Sequence, residues 1–123
     1  MSTIHFDKIS MYDREMEPVS LGIPFAQGQL KQVSDFGILN GDVAVSAQTD
    51  VTGRWDDGSI KWLIAHFGAD LPGNRAQDLT FVWDGSVARP IADLAVSVSE
   101  QTDRVEVDTG MLNVTFAKGV NWF

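Results

Sequence analysis

Cysteine is absent from the 123-residue chain. That removes a disulfide framework, a zinc–thiolate site and a thiol nucleophile. Basic charge is scarce: 9 Lys and Arg stand against 17 Asp and Glu, for a formal charge of −8. Neutralising phosphates takes a basic face, so no nucleic-acid partner is expected. No apolar run reaches the length of about 18 residues that a membrane-spanning helix needs, so no membrane partner is expected either. The opening Met1-Ser2-Thr3-Ile4-His5-Phe6-Asp7 has neither the basic nor the apolar region of a secretory signal. With a native Met1, that reads as cytoplasmic. Histidine occurs only twice, as His5 and His66. Two histidines without cysteine or a clustered Glu give no metal triad, and neither a metal nor a cofactor is expected.

What is present is apolar residue at 44%, too much for a disordered acidic tail. The apolar residues recur with a period of two, in short runs rich in Val, Ile, Phe, Trp and Thr. Strands are expected over residues 3–10, 19–25, 43–55, 59–68, 79–83, 94–99, 104–108 and 111–117. Residues 28–39 read as a loop with a short 3₁₀ turn, because Gly28 and Gly37 bracket it. Pro18 and Pro24 make 19–25 an edge strand or a bulged one. The fold class is therefore all-β, a small antiparallel barrel or sandwich of eight or nine short strands with no convincing helix.

The richest local signal is a hairpin. Asp57-Gly58 suits a two-residue type I′ turn, which needs positive φ at both positions. That register sets Trp55 opposite Ile60, Gly53 opposite Trp62 and Val51 opposite Ile64. It gathers these apolar side chains on one face, and Gly53 leaves room for the Trp62 indole. A one-residue shift, from a longer loop with Gly58 in the left-handed region, mixes polar and apolar groups on both faces. Burial of Trp55 and Trp62 together favours the first register, although it sets Arg54 against Lys61.

Candidates for chemistry are few. Asp50, Asp56 and Asp57 lack the alternating acids and terminal Glu of a calcium loop, and Asp-Gly is ordinary turn chemistry. His66 reads as a sheet-face or core residue and His5 as a solvated one. No serine sits in a G-x-S-x-G elbow. Residues 22–28 lack the Lys-Ser/Thr of a phosphate loop. No catalytic residue is assigned. Trp83, next to Asp84-Gly85 at a strand end, is the tryptophan expected to be exposed. Trp83 and Arg89 are the candidate ligand-binding residues, with Arg54, Arg75 and Arg89 as a conceivable basic patch.

Two stretches carry a family resemblance. Pro18-Val19-Ser20-Leu21-Gly22-Ile23-Pro24-Phe25-Ala26-Gln27-Gly28-Gln29-Leu30 resembles a "PV-x-x-G-[IV]-PF-x-x-G-x-L" opening. Thr52-Gly53-Arg54-Trp55-Asp56-Asp57-Gly58-Ser59-Ile60-Lys61-Trp62-Leu63 resembles an "RW-x-DGS-[IV]-[KR]-WL" hairpin. Together they are similar to the N-terminal RIFT-type barrel domain of exo-rhamnogalacturonan lyase-like proteins. Asp56 and Ser46 depart from the prolines often found there, which marks a distant relative. The resemblance implies a RIFT-like barrel over 1–105. It also implies that 106–123 holds the first strand of a following β-sandwich, with an α/α toroid beyond. It makes the chain a non-catalytic N-terminal domain of a carbohydrate-active protein, its partners the following domains and an oligosaccharide. The structural hairpin residues would be Gly53, Trp55, Asp57, Gly58 and Trp62. The alternatives are a sugar-binding module using exposed Trp and a structural or assembly domain of a virion or surface array.

Overall fold

The computed structural model describes residues 1–90 and 96–119. Among them ten strands form three antiparallel sheets. The strands are β1 (Ser2–Phe6), β2 (Arg14–Pro24), β3 (Gly37–Asn40), β4 (Val43–Val45), β5 (Ala47–Arg54), β6 (Ile60–Leu71), β7 (Gln77–Val82), β8 (Ser97–Glu100), β9 (Arg104–Asp108) and β10 (Asn113–Ala117). A single 3₁₀ turn, Val33–Asp35, precedes β3. The all-β expectation holds, with ten strands rather than eight or nine. The chain divides into two units, Met1–Pro90 and Ile91–Phe123. In the second of these, β9 pairs with both β8 and β10 in a sheet of its own. The front of the expected 94–99 strand lies outside the described residues.

The first unit contains two sheets, ordered β1-β7-β3-β4 and β2-β6-β5. Their facing sides bury Ile23, Phe25, Leu30, Phe36, Ile38, Ile60, Leu63, Phe67, Leu71, Leu79 and Phe81. Aromatic rings meet edge-on inside: Phe25 with Phe36 at 6.3 Å and Phe67 with Phe81 at 6.4 Å. Such pairs add to the transfer of apolar area from water. β2 is an edge strand, and it is also bulged between Arg14 and Glu17. Its prolines thus lack an N–H only where the ladder can spare one.

Along β5 the expected face holds, with Val51 packed against the core, whereas along β6 from Trp62 onward the face is the reverse of the expected one. Along β6 the buried series is Leu63, Ala65, Phe67, Ala69 and Leu71, while Trp62, Ile64, His66 and Asp70 alternate outward. Ile60 is buried as expected, but beyond it five inward apolar residues outweigh the two, Trp62 and Ile64, that the turn-centred reading would also bury. The register follows. Val51 pairs with Leu63 and Arg54 with Ile60, the shifted arrangement that burial of both tryptophans disfavours. Thr52 is an extra residue that keeps Gly53 opposite Trp62. The turn is not type I′: Gly58 has φ 81°, whereas Asp57 does not enter the positive-φ region.

The second unit is the sheet β10-β9-β8. Register sets Val98, Val107 and Val114 in one cross-strand row and Val105 beside Phe116 in the next, all on one face. Ser99, Glu106 and Thr115 form a row on the other face. No described residue of this unit is buried.

Candidate functional site

The two motif stretches meet in space. The Gly28 N–H donates to Ser59 Oγ at 2.9 Å, and the Ile60 N–H to the Leu30 carbonyl at 2.8 Å. The Phe25 N–H reaches the Lys61 carbonyl at 3.0 Å, and the Phe25 carbonyl accepts the Trp55 Nε1–H at 3.0 Å. Inside the turn, Asp57 Oδ1 accepts both the Ser59 N–H (3.0 Å) and the Ser59 hydroxyl (2.5 Å). Those bonds, the hydroxyl first, hold the Asp57 carboxyl below the ordinary Asp range. Ser59 is only 4% exposed, so its hydroxyl needs both partners. Arg54 Nη1 closes the loop by donating to the Gly58 carbonyl at 2.7 Å. Lys61 Nζ lies 4.4 Å from the centre of the Trp55 ring, a cation–π contact. Both motifs are thereby occupied in stitching the barrel end together.

Trp62 and Trp83 exchange the places expected of them. Trp62 is 44% exposed on the outer face of β6. Trp83 is half-buried against the core, its ring 5.7 Å from Phe25 and edge-on to it. The strand-end argument for exposing Trp83 fails because Phe25 supplies a ring for it to pack on. Trp55 is half-buried, and Trp122 lies outside the described residues. Arg89 is a clamp within the first unit: Nε donates to the Phe36 carbonyl (3.0 Å), Nη2 to the Val33 carbonyl (2.8 Å) and Nη1 to Thr49 Oγ1 (3.2 Å). Loss of hydration lowers its pKa. With three nitrogens engaged on three segments, Arg89 holds the fold at that point.

The outer face of β2-β6-β5 carries a polar trio. Ser20 Oγ is hydrogen-bonded to His66 Nδ1 at 2.8 Å, and Asp50 Oδ2 lies 3.4 Å from His66 Nε2. These are the residue types of a nucleophilic triad, on neighbouring strands of an open sheet. Ser20 lies on β2 and Asp50 on β5, the two edge strands of this sheet, with His66 on β6 between them. Along the same face Trp62 lies between Pro24 and Gly53, and a Cβ on Gly53 would come 3.4 Å from the indole. At the first strand, His5 contacts Asp78 and Asp7 at the surface, and the Asp78 hydrogen bond raises its pKa.

A cleft of about 540 Å³ opens at the bulged start of β2, lined among others by Arg14, Met16, Asn40, Asp70, Arg75 and Gln77. Met16 has φ 52°, the only non-glycine in the positive-φ region among the described residues. That conformation costs about 1–2 kcal/mol in an L-residue. It is fixed from two sides: the Met16 N–H donates to Asp70 Oδ1 at 2.9 Å, and a Cβ on Gly68 would lie 2.7 Å from Met16 Cε. Gly73 is pinned likewise. Its N–H donates to Asp13 Oδ1 at 2.7 Å, and a Cβ there would collide with the Tyr12 backbone at 2.5 Å. Arg14 Nε is buried without an acceptor, and Nη1 reaches Glu17 only at 3.6 Å. A buried donor left unmatched costs about 1–3 kcal/mol. Sequence reading missed this site. Its signals were Pro18, which announced the bulge, and two glycines, Gly68 and Gly73, whose neighbours in space it cannot name.

Comparison with known proteins accords with this architecture. Over 101 residues the chain is 31% identical to an uncharacterized protein, YetA, of Bacillus subtilis (strain 168), covering 81% of this chain and 11% of that relative. The chain thus spans about a tenth of its relative's length. Residues 7–80, which include both stitched motifs and the cleft, match the PcRGLX-like N-terminal RIFT barrel domain, and the chain belongs to that family.

Proposed function

We propose that the chain is the non-catalytic N-terminal β domain of a larger carbohydrate-active, exo-rhamnogalacturonan lyase-like protein, supporting the part that carries the chemistry. The observation behind this is the use made of the two family motifs. Their polar groups bond to one another around Ser59 and Phe25, leaving no acid–base pair aimed at a substrate. A lyase needs a base poised over a carbon acid and a group to stabilise the developing charge. The Ser20–His66–Asp50 trio lies on the outer face of an open sheet, outside the cleft at the start of β2. Under this reading β8–β10 form the start of the domain that follows, their valine row covered by strands further along the parent protein.

The test is direct. The 123-residue chain is incubated with rhamnogalacturonan oligosaccharides beside the longer parent protein. New absorbance from an unsaturated uronate is expected with the parent and not with the chain. Product formed by the chain alone, and lost in His66→Ala, would overturn the supporting role.

A second reading has an observation of its own. Trp62, exposed beside Gly53 and Pro24, offers a ring face of the kind that stacks on sugars. A sugar-binding module would then use Trp62, not Trp83. Quenching of tryptophan fluorescence by oligosaccharide, abolished in Trp62→Ala, would favour it.

A further inference from the structure

The cleft at the start of β2 combines features that folding alone does not call for. A backbone outlier is locked by a carboxylate, a bulge interrupts the ladder, and Arg14 lines the cavity with a buried Nε that has no acceptor. Outliers held this firmly gather where a ligand is bound. A volume of about 540 Å³ lies within the range of small-molecule sites.

The lining narrows the ligand. Asp13, Glu15 and Asp70 share the rim with Arg14 and Arg75, so a polyanion such as a nucleotide meets net repulsion. Among the described residues no three acids or histidines converge closely enough to hold a metal ion, which sets a cation aside. What remains is a ligand that both donates and accepts many hydrogen bonds without bulk charge. Asp13 and Asp70 each keep Oδ2 clear of the backbone bond made by Oδ1 and can accept from hydroxyls. Arg14 and Arg75 can donate to ring and hydroxyl oxygens. Asn40 and Gln77 are joined at 2.8 Å, leaving further amide donors and acceptors. Met16, Leu71 and Pro72 supply an apolar patch for the C–H face of a ring.

We propose that this cleft is a saccharide-binding site, with Arg14, Arg75 and Asp70 as the principal contacts and Met16 as the apolar support. It goes beyond the supporting role argued above and is separate from the Trp62 face.

Ligand-observed NMR and calorimetry on the 123-residue chain test it, with a hexose, a 6-deoxyhexose, a hexuronate and inorganic phosphate as probes. At least one sugar is expected to bind with a Kd of about 1 mM or below. Arg75→Ala should weaken that binding at least tenfold with an unchanged melting temperature, because Arg75 is exposed and makes no ion pair among the described residues. Arg14→Lys should weaken it as well, and Trp62→Ala should leave it intact. Binding by phosphate alone, binding by no sugar, or binding lost in Trp62→Ala but kept in Arg75→Ala would each overturn the proposal. Failure of the parent protein to cleave its polysaccharide would sink the lyase-like reading and leave the cleft result standing.

Discussion

The two units of the chain are built from the same alternating pattern and end in different states. In residues 1–90 two sheets face each other, and Leu30, Phe36, Ile60 and Leu63 lose all contact with water. In the second unit the pattern is as clear, with a row of three valines on one face and polar residues on the other, yet Val98 remains 64% exposed. Alternation thus settles that a strand is amphipathic and says nothing of whether its apolar face is covered. Coverage takes a second layer, and three strands supply only one.

The sharpest way to break that contrast is to truncate one apolar residue in each unit. Phe36→Ala removes a ring that packs against Phe25 and Phe81, and should cost about 3–5 kcal/mol. Val98→Ala should stay within about 0.5 kcal/mol, as for other exposed positions. Urea denaturation followed by tryptophan fluorescence and by far-ultraviolet circular dichroism measures both. A Val98→Ala cost as large as that of Phe36→Ala would mean that the valine row is covered, and the contrast between the units would fail.

Much of the first unit was legible because its strands are punctuated by Gly, Pro and Asp-Gly. β7 falls at Gln77–Val82 where 79–83 is expected, and the 3₁₀ turn falls inside the expected 28–39 loop, although β3 begins within that loop at Gly37; in the second unit β9 appears at the expected 104–108. The orientation of β6 was not legible from the hairpin. A turn-centred reading weighs the few pairs next to Asp57-Gly58, whereas burial is decided over the whole strand down to Leu71. The same narrowness misplaced the tryptophans: Trp83 found Phe25, a partner 58 residues away in sequence (83 − 25), and Trp62 followed the phase of its strand. The cleft was hidden for a different reason. It depends on a φ value and on an unmatched donor, neither of which leaves a periodic trace.

Arg89 sharpens the comparison at the next level of effect. It ties the 3₁₀ turn, the entry to β3 and β5 together by three hydrogen bonds from one charged group. The second unit's arginine, Arg104, pairs with Glu106 and Asp103 at the surface. Arg89→Ala should destabilise by about 2–3 kcal/mol, because three acceptors lose a charged donor at once. Arg89→Lys should recover only part, since one ammonium cannot span three acceptors set for a planar fork. Arg104→Ala should cost much less than Arg89→Ala, because its partners are exposed to solvent. Equal costs at the two arginines would show that Arg89 is no clamp.

The smallest effect concerns pH and belongs to the turn that joins the two motifs. The Asp57 carboxylate is stabilised by the Ser59 hydroxyl and N–H, so its pKa in the folded chain lies below that of an ordinary Asp. The unfolded chain therefore takes up the proton first as pH falls. The stabilisation is fully present above the unfolded value and is lost as pH drops through the folded one. Asp57→Asn keeps an oxygen in the acceptor position and removes the charge that makes the bonds pH-sensitive. Its urea midpoint should fall less steeply than that of the parent chain as pH drops through and below the ordinary Asp range. The equivalent turn at Asp84 and Ser86, whose carboxyl is lowered in the same way, leaves a residual slope. The double variant with Asp84→Asn should flatten it further. Because Trp55 adjoins the Asp57 turn through its bond to Gly58, its fluorescence reports the loss where it occurs. A slope unchanged by either substitution would mean that Ser59 is held by Gly28 alone and that the carboxylate contributes geometry without charge.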